Sequence, residues 1–258
     1  MRIGIATTLF AAVVGLSPTA FATDHENLEP GLPTSLEDIQ PIERGTVQFQ
    51  VFGRYLKFRG EPNLGESEPR LVWGAFDDTQ LVVATPLPLG RGAASGNGYV
   101  ALGVLRKLWG DRENRWWPGA ALGLDLRLPT GSARQGFRNR PDIDLTVALK
   151  KDIGPHSFHL NVGYEWINDQ SDRERFRAGA WRVIVGHDAP VTERVLLVTD
   201  VVWRQADVKA SSDVWLVESG IRAQLTRRLI GTVGMGVGLN RGHETPEFTV
   251  TAGFQLGF

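Results

Sequence analysis

No cysteine occurs in the 258 residues, which excludes a disulfide framework and a thiolate zinc site. That absence also suits a chain crossing an oxidising compartment, where stray thiols would pair wrongly. Charge of one sign is missing as well. The 28 Lys+Arg stand against 29 Asp+Glu with no basic block, unlike the Lys/Arg-rich stripe of a nucleic-acid binder. Beyond the extreme N-terminus, no window reaches the roughly 20 apolar residues that a membrane helix requires. What the chain does hold is 30 Gly and 8 Trp, a composition suited to many strands with an aromatic rim.

The N-terminus reads as an address. Met1-Arg2 gives a short positive start, Ile3 to Leu16 an apolar run, and Ala20-Phe21-Ala22 an A-x-A cleavage site. That is the pattern of a secretory signal peptide over residues 1–22, cleaved after Ala22. Residues 23–44 follow as an acidic, Pro-punctuated stretch that cannot bury a core of its own. It is expected to be a periplasmic tail or small insert, too short for a globular plug domain. Residues 45–258 remain for the folded body.

From Thr46 onward the hydrophobic period is two. Phe248, Val250, Ala252, Phe254, Leu256 and Phe258 share one face; Thr249, Thr251, Gly253, Gln255 and Gly257 share the other. On a helix those apolar residues would scatter around the circumference, so the segment is a strand. Val233, Met235 and Val237 alternate with Gly234, Gly236 and Gly238; Leu160 and Val162 alternate with Asn161 and Gly163. About twelve such segments are predicted, the second beginning near residue 70, joined by alternating tight turns and longer polar connections. An even count of strands of about ten residues, with short turns at one end, predicts an all-β, antiparallel transmembrane β-barrel of the bacterial outer membrane.

A soluble barrel would show the same alternation with its apolar face inward. The other face decides against it. Gly, Thr, Asn and charged residues make a poor dry core but a good wet lumen. Trp73, Trp116, Trp117, Trp166, Trp181, Trp203 and Trp215 sit near strand ends, where interfacial girdles form. At the last residue the chain carries a second address. Thr251, Gly253, Leu256 and the terminal Phe258 resemble the C-terminal assembly signal of outer-membrane proteins. The expected partners are therefore outer-membrane lipids and lipopolysaccharide, the barrel-assembly machinery and a small-molecule solute, with no nucleic acid.

Two stretches resemble a known family. Gly74-Ala75-Phe76-Asp77-Asp78-Thr79-Gln80-Leu81 is similar to the Gly-Leu-Thr-Asp-Arg-Leu hairpin of the outer-membrane proteins named after the meta pathway of phenol degradation. Leu126-Arg127-Leu128-Pro129-Thr130-Gly131 is similar to that family's Leu-Pro-Thr-Gly strand exit. The likeness runs loosely from Arg70 to Phe258. Gly98-Tyr99 and Leu105-Arg106 depart from the family's Gly-Asp and Lys-Tyr pairs. These are hairpin and loop-entry devices, so the resemblance implies the barrel fold and, only coarsely, a transporter linked with aromatic catabolism.

Groups that could do chemistry are few. The five histidines show no spacing that suggests a metal site, and no cofactor is expected. Ser157 and His159 share a strand face, but no nucleophile elbow or third group supports a lipid hydrolase. Charge on the inner face stands out instead. Arg127, Asp144, Lys150, Glu165, Arg182, Asp200, Arg204, Glu218 and Arg222 all fall there by parity. A cation on the lipid side would cost about 2–4 kcal/mol near midplane.

Antiparallel pairing around a loop centred near 135–136 would place Arg127 opposite Asp144. The turn near 154–155 would place Asp144 opposite Glu165, with Lys150 or Arg182 reaching in. A second patch is expected where Asp200 faces Glu218, flanked by Arg204 and Arg222. These two patches are expected to line the narrowest polar zone and to set ion preference. The sequence thus supports a channel or uptake barrel for small solutes. A closed structural or binding barrel with ion-paired side chains is the alternative, and a barrel-embedded lipid hydrolase a third reading.

Overall fold

The computed structural model describes residues 24–60, 62–89, 99–110, 116–130, 141–167 and 177–258. The expected leader and the loops around 90–98 and 131–140 lie outside the described residues. Thirteen strands form one antiparallel sheet. In chain order they are β1 (Val47–Lys57), β2 (Leu64–Phe76), β3 (Thr79–Ala84), β4 (Leu87–Leu89), β5 (Val100–Trp109), β6 (Gly119–Leu128) and β7 (Asp142–Ile153). Then follow β8 (His156–Trp166), β9 (Gly179–Thr192), β10 (Val195–Arg204), β11 (Val214–Gln224), β12 (Leu229–Gly238) and β13 (Phe248–Gly257).

β13 returns to pair with β1, from Gln48↔Gly257 to Lys57↔Phe248, so the sheet closes and no edge is left. β3 and β4 lie on the same flank of β2 and are two pieces of one stave. Pro86, which cannot donate to a ladder, falls in the gap between them. The result is a closed barrel of twelve staves.

Parity holds around the wall. Val233, Met235 and Val237 are 48%, 67% and 54% exposed on the outside, while Gly234 and Gly236 are buried inside. An apolar exterior beside a polar interior is the arrangement of a barrel surrounded by lipid. Trp73 and Trp109 border the outer surface near one rim, with Trp116 and Trp117 on the adjoining loop; Trp166, Trp181, Trp203 and Trp215 border the other.

Five of the connections at the first rim are tight or absent by closure. Asp78, at φ 57°, and Gly154, at φ 63°, supply the left-handed backbone that two of these turns demand. The exception there is the longer loop after β5.

Two features differ from expectation. β2 begins at Leu64, six residues earlier than the pattern suggests. Glu66, Glu68 and Pro69 look like loop residues in sequence, yet Glu66 and Glu68 simply point inward beside Arg54 and Phe52 of β1. The hairpin from β6 to β7 pairs Asp125 with Asp144 and Arg127 with Asp142. Its centre lies one residue earlier than assumed, which moves every pairing by two.

Candidate functional site: the barrel lumen

The lumen is not empty of chain. Residues 24–44, read from sequence as a periplasmic tail or small insert, run through the inside of the barrel. Leu28, Leu32, Leu36 and Ile39 are between 1% and 4% exposed there. Within the segment, Leu32 N donates to Glu29 O and Asp38 N to Leu28 O, so it folds back on itself as a compact loop. The acidic composition misled because the apolar residues fall three to four apart, and the barrel supplies the core the segment lacks. Leu28 and Leu36 pack on Ile184, Leu196, Val198, Val202 and Leu216 of the inner wall. Ile39 packs on Leu105, Ala121 and Ala148.

Inward glycines make the close approach possible. A Cβ on Gly234 would lie 2.6 Å from the Pro33 carbonyl oxygen, and one on Gly220 would lie 2.7 Å from Pro33 Cβ. Side chains at these two positions would push the segment off the wall.

Polar wall residues then fix the segment in place. Asn161, 1% exposed, accepts from Glu37 N at 2.9 Å and donates its Nδ2 to Glu37 O at 2.9 Å. Gln80 accepts from Ile42 N and donates to Glu29. Lys150 donates to Asp38 at 3.2 Å, and Glu218 accepts from Ser35 N at 2.9 Å. Arg222, fully buried, does the most: Nε donates to His25 O at 2.9 Å, Nη1 to Leu32 O at 2.6 Å and Nη2 to Asn27 O at 2.7 Å. Its Nη2 also meets the Gln255 amide oxygen. The planar guanidinium serves these three carbonyls and the Gln255 amide oxygen together, one acceptor more than the three donors of a lysine ammonium could satisfy.

The predicted charge patches both exist, with different partners. In the first, Asp144 lies opposite Glu165 in the β7–β8 ladder. Arg127 reaches Glu165 at 2.5 Å and Asp144 at 3.5 Å although it is not directly across from Asp144. Arg182 reaches Asp144 at 3.3 Å, whereas Lys150 is committed to Asp38. Two guanidinium groups thus offset two carboxylates, and the adjoining Asp125 adds a third.

In the second patch, Asp200 faces Glu218. The cation beside them is Arg54, 3.8 Å from Glu218, rather than Arg204 or Arg222. Arg204 pairs with Asp207 and Glu244 near the loop rim. Arg222 is held by the lumen segment, so half of this expected patch serves docking. The terminal residues keep their expected faces: Thr251 is buried inside and Phe258 is 37% exposed outside.

Ser157 and His159 are not joined. Ser157 Oγ donates to Asp152 at 2.8 Å, while His159 Nε2 sits 2.5 Å from Asp188 Oδ2. No serine–histidine bond of the hydrolase kind forms between them.

Two cavities flank the lumen segment. One of about 450 Å³ opens toward the longer loops and is lined by Glu66, Arg70, Tyr99, Arg127, Glu244 and Phe52. The other, of about 760 Å³, opens toward the tight turns among Asp24, Asp38, Lys107, Lys150, Asp152 and Asp188. Burial raises the Glu29 carboxyl above its ordinary value. Burial first, and then the Asp125 carboxylate, push that of Glu37 up to about 8.

A closed, apolar-jacketed antiparallel barrel with a charged interior defines this chain as a β-barrel of the outer-membrane type. Its family is settled by sequence. The chain belongs to the family described as "Putative MetA-pathway of phenol degradation", whose model matches residues 39–258. The match leaves most of the lumen segment outside it.

No curated protein matches the chain. Among solved structures, an outer membrane channel from Pseudomonas putida F1 is similar at TM-score 0.66 and 17% identity, over 90% of this chain and 100% of that one. The NanC porin is similar at TM-score 0.60 and 12% identity, over 81% and 98%. The KdgM porin, solved with disordered oligogalacturonate, is similar at TM-score 0.55 and 8% identity, over 83% and 99%. At these identities the likeness is one of fold.

Proposed function

We propose that this chain is an outer-membrane channel or uptake protein, carrying small solutes passively through the barrel. Hydrophobic or aromatic compounds are the solute class we favour. The observation that carries the reading is the pair of cavities, about 450 and 760 Å³, on either side of a lumen segment held mainly by side-chain contacts. Such a segment leaves space for a solute at both rims and can shift without breaking a ladder. The family's description and the fold shared with channels and porins support the reading. Ser157 donates to Asp152 and not to His159, so these two residues form no nucleophile–base couple. On this reading the barrel sits in the outer membrane among its lipids and lipopolysaccharide. The assembly machinery recognises Thr251, Gly253, Leu256 and Phe258.

A specific observation favours a second reading, a closed barrel. Leu28, Leu32 and Leu36 fill mid-lumen, and Arg222 is wholly buried among segment carbonyls. Single-channel recording in planar bilayers separates the two. The channel reading expects steps with the mature chain that grow when residues 24–44 are deleted. A barrel that conducts in neither form is closed, and lipid turnover by the purified protein would make it a hydrolase.

A further inference from the structure

His156 and His187 are 31 residues apart in sequence but meet on the outer wall near the tight-turn rim. Nδ1 of His156 lies 3.0 Å from Nε2 of His187. The rings meet edge to edge, with centroids 5.1 Å apart and planes 26° apart, so the two nitrogens face each other. Phe158, directly opposite His187 in the β8–β9 ladder, packs 5.1 Å from the same ring and limits its rotation. His156 is placed by the Gly154-Pro155 turn, where it pairs with Ile153. Lys151, the partner of Phe158 in the β7–β8 ladder, lies on the same outer face.

Two imidazole nitrogens at this distance can share one N–H···N bond or bind one metal ion. Metal–nitrogen bonds of about 2.0–2.1 Å set at a right angle put the nitrogens about 2.9 Å apart; a tetrahedral angle puts them about 3.4 Å apart. The separation here lies beside the right-angle value. That is the cis arrangement of tetragonal Cu²⁺ or Ni²⁺, ions for which imidazole is a good ligand. Hard cations, which prefer oxygen, gain little from such a pair.

We propose that His156 and His187 form a binding site for a divalent transition-metal ion of the Cu²⁺ or Ni²⁺ type, with water completing the coordination. The inference stands apart from the channel reading. Each ring gives the ion one lone pair, and the shared proton moves to the outer nitrogen of its own ring, so neutral imidazoles release no proton. The ion would cross-link β8 and β9 at the rim where no loop joins them.

The test is titration of untagged His25→Ala protein in detergent with Cu²⁺ at pH 7.5, by calorimetry, with electron paramagnetic resonance of the bound ion; the substitution removes the copper chelate of a free Thr23-Asp24-His25 terminus. One Cu²⁺ per barrel with two-nitrogen hyperfine structure is expected. In that background His156→Ala and His187→Ala should each weaken binding at least tenfold, whereas His243→Ala should leave it unchanged. Heat-modifiable migration on gels checks that each barrel is folded, and His187→Gln replaces the alanine variant if that one does not assemble. Absence of stoichiometric binding, or wild-type affinity in a folded variant lacking either His156 or His187, overturns the site.

Discussion

Replacing Arg222 with alanine should release the lumen segment while leaving the barrel intact. Arg222 makes three hydrogen bonds to segment carbonyls, of His25, Asn27 and Leu32. A hydrogen bond to a charged group contributes about 1.5–3 kcal/mol. Water entering the lumen would re-solvate the freed carbonyls, and the buried guanidinium itself costs desolvation. The net loss is therefore well below the sum of three such bonds, at roughly 3 kcal/mol, the upper value for one charged hydrogen bond. At 1.4 kcal/mol per factor of ten, docking weakens at least about a hundredfold.

Two assays read this: single-channel conductance, which should rise, and labelling of a Thr34→Cys reporter. Thr34 is 1% exposed, so the reporter should be protected in the parent and reactive in the Arg222→Ala background. Arg222→Lys should fall between, because one ammonium cannot reproduce the planar fork. The β10–β11 and β11–β12 ladders are backbone bonds and should persist, giving normal heat-modifiable migration. If a folded Arg222→Ala barrel keeps parent conductance and a protected reporter, Arg222 does not hold the segment.

The Asp144→Asn, Glu165→Gln double variant adds about two unit charges of positive potential beside Arg127 and Arg182. Reversal potentials in a salt gradient should shift toward anion preference, and an unchanged selectivity would mean that no ion path passes this patch. Docking of the segment should weaken as the pH rises, since a carboxyl whose docked value is raised is favoured there in its protonated form. For Glu37 this loss falls between its ordinary range, near 4.5, and about 8. Conductance should thus increase from pH 5 to pH 9 in the parent and less so in Glu37→Gln; equal slopes would exclude Glu37 as the source. Deleting Phe258 should lower the amount of heat-modifiable barrel in outer-membrane fractions severalfold, whereas parent levels would show that the terminal aromatic is dispensable for assembly.

The wall was legible because strand parity is local. In β13 and β12 the side chains alternate by backbone geometry alone, and every face assigned from the period matches the observed exposure. Asp144 opposite Glu165, joined by a tight turn, was equally legible, and Asp200 opposite Glu218 was placed correctly across the longer loop centred at 209. The hairpin from β6 to β7 was not, because an uncertainty of one residue in a long loop's centre shifts the ladder by two.

The filling of the lumen left one trace in the sequence. β10 is apolar on both faces, with Leu196, Val198 and Val202 pointing inward. A wet lumen would leave those side chains uncovered, so something apolar had to lie against them. Asn161 and Gln80, which hold the segment, carry no local mark at all.

Sequence by itself determined the strand period, the lipid and lumen faces, the charged residues that must point inward, and the family. Tertiary structure alone decided that residues 24–44 occupy the barrel, that Arg222 and Glu218 hold them, and that His156 meets His187. The physical reason is range. Side-chain direction along a strand follows from two neighbouring residues, whereas Glu218 meets Ser35 across 183 residues and Arg222 meets His25 across 197. Contacts of that separation exist only once the barrel has closed and given the segment an enclosed surface to bind.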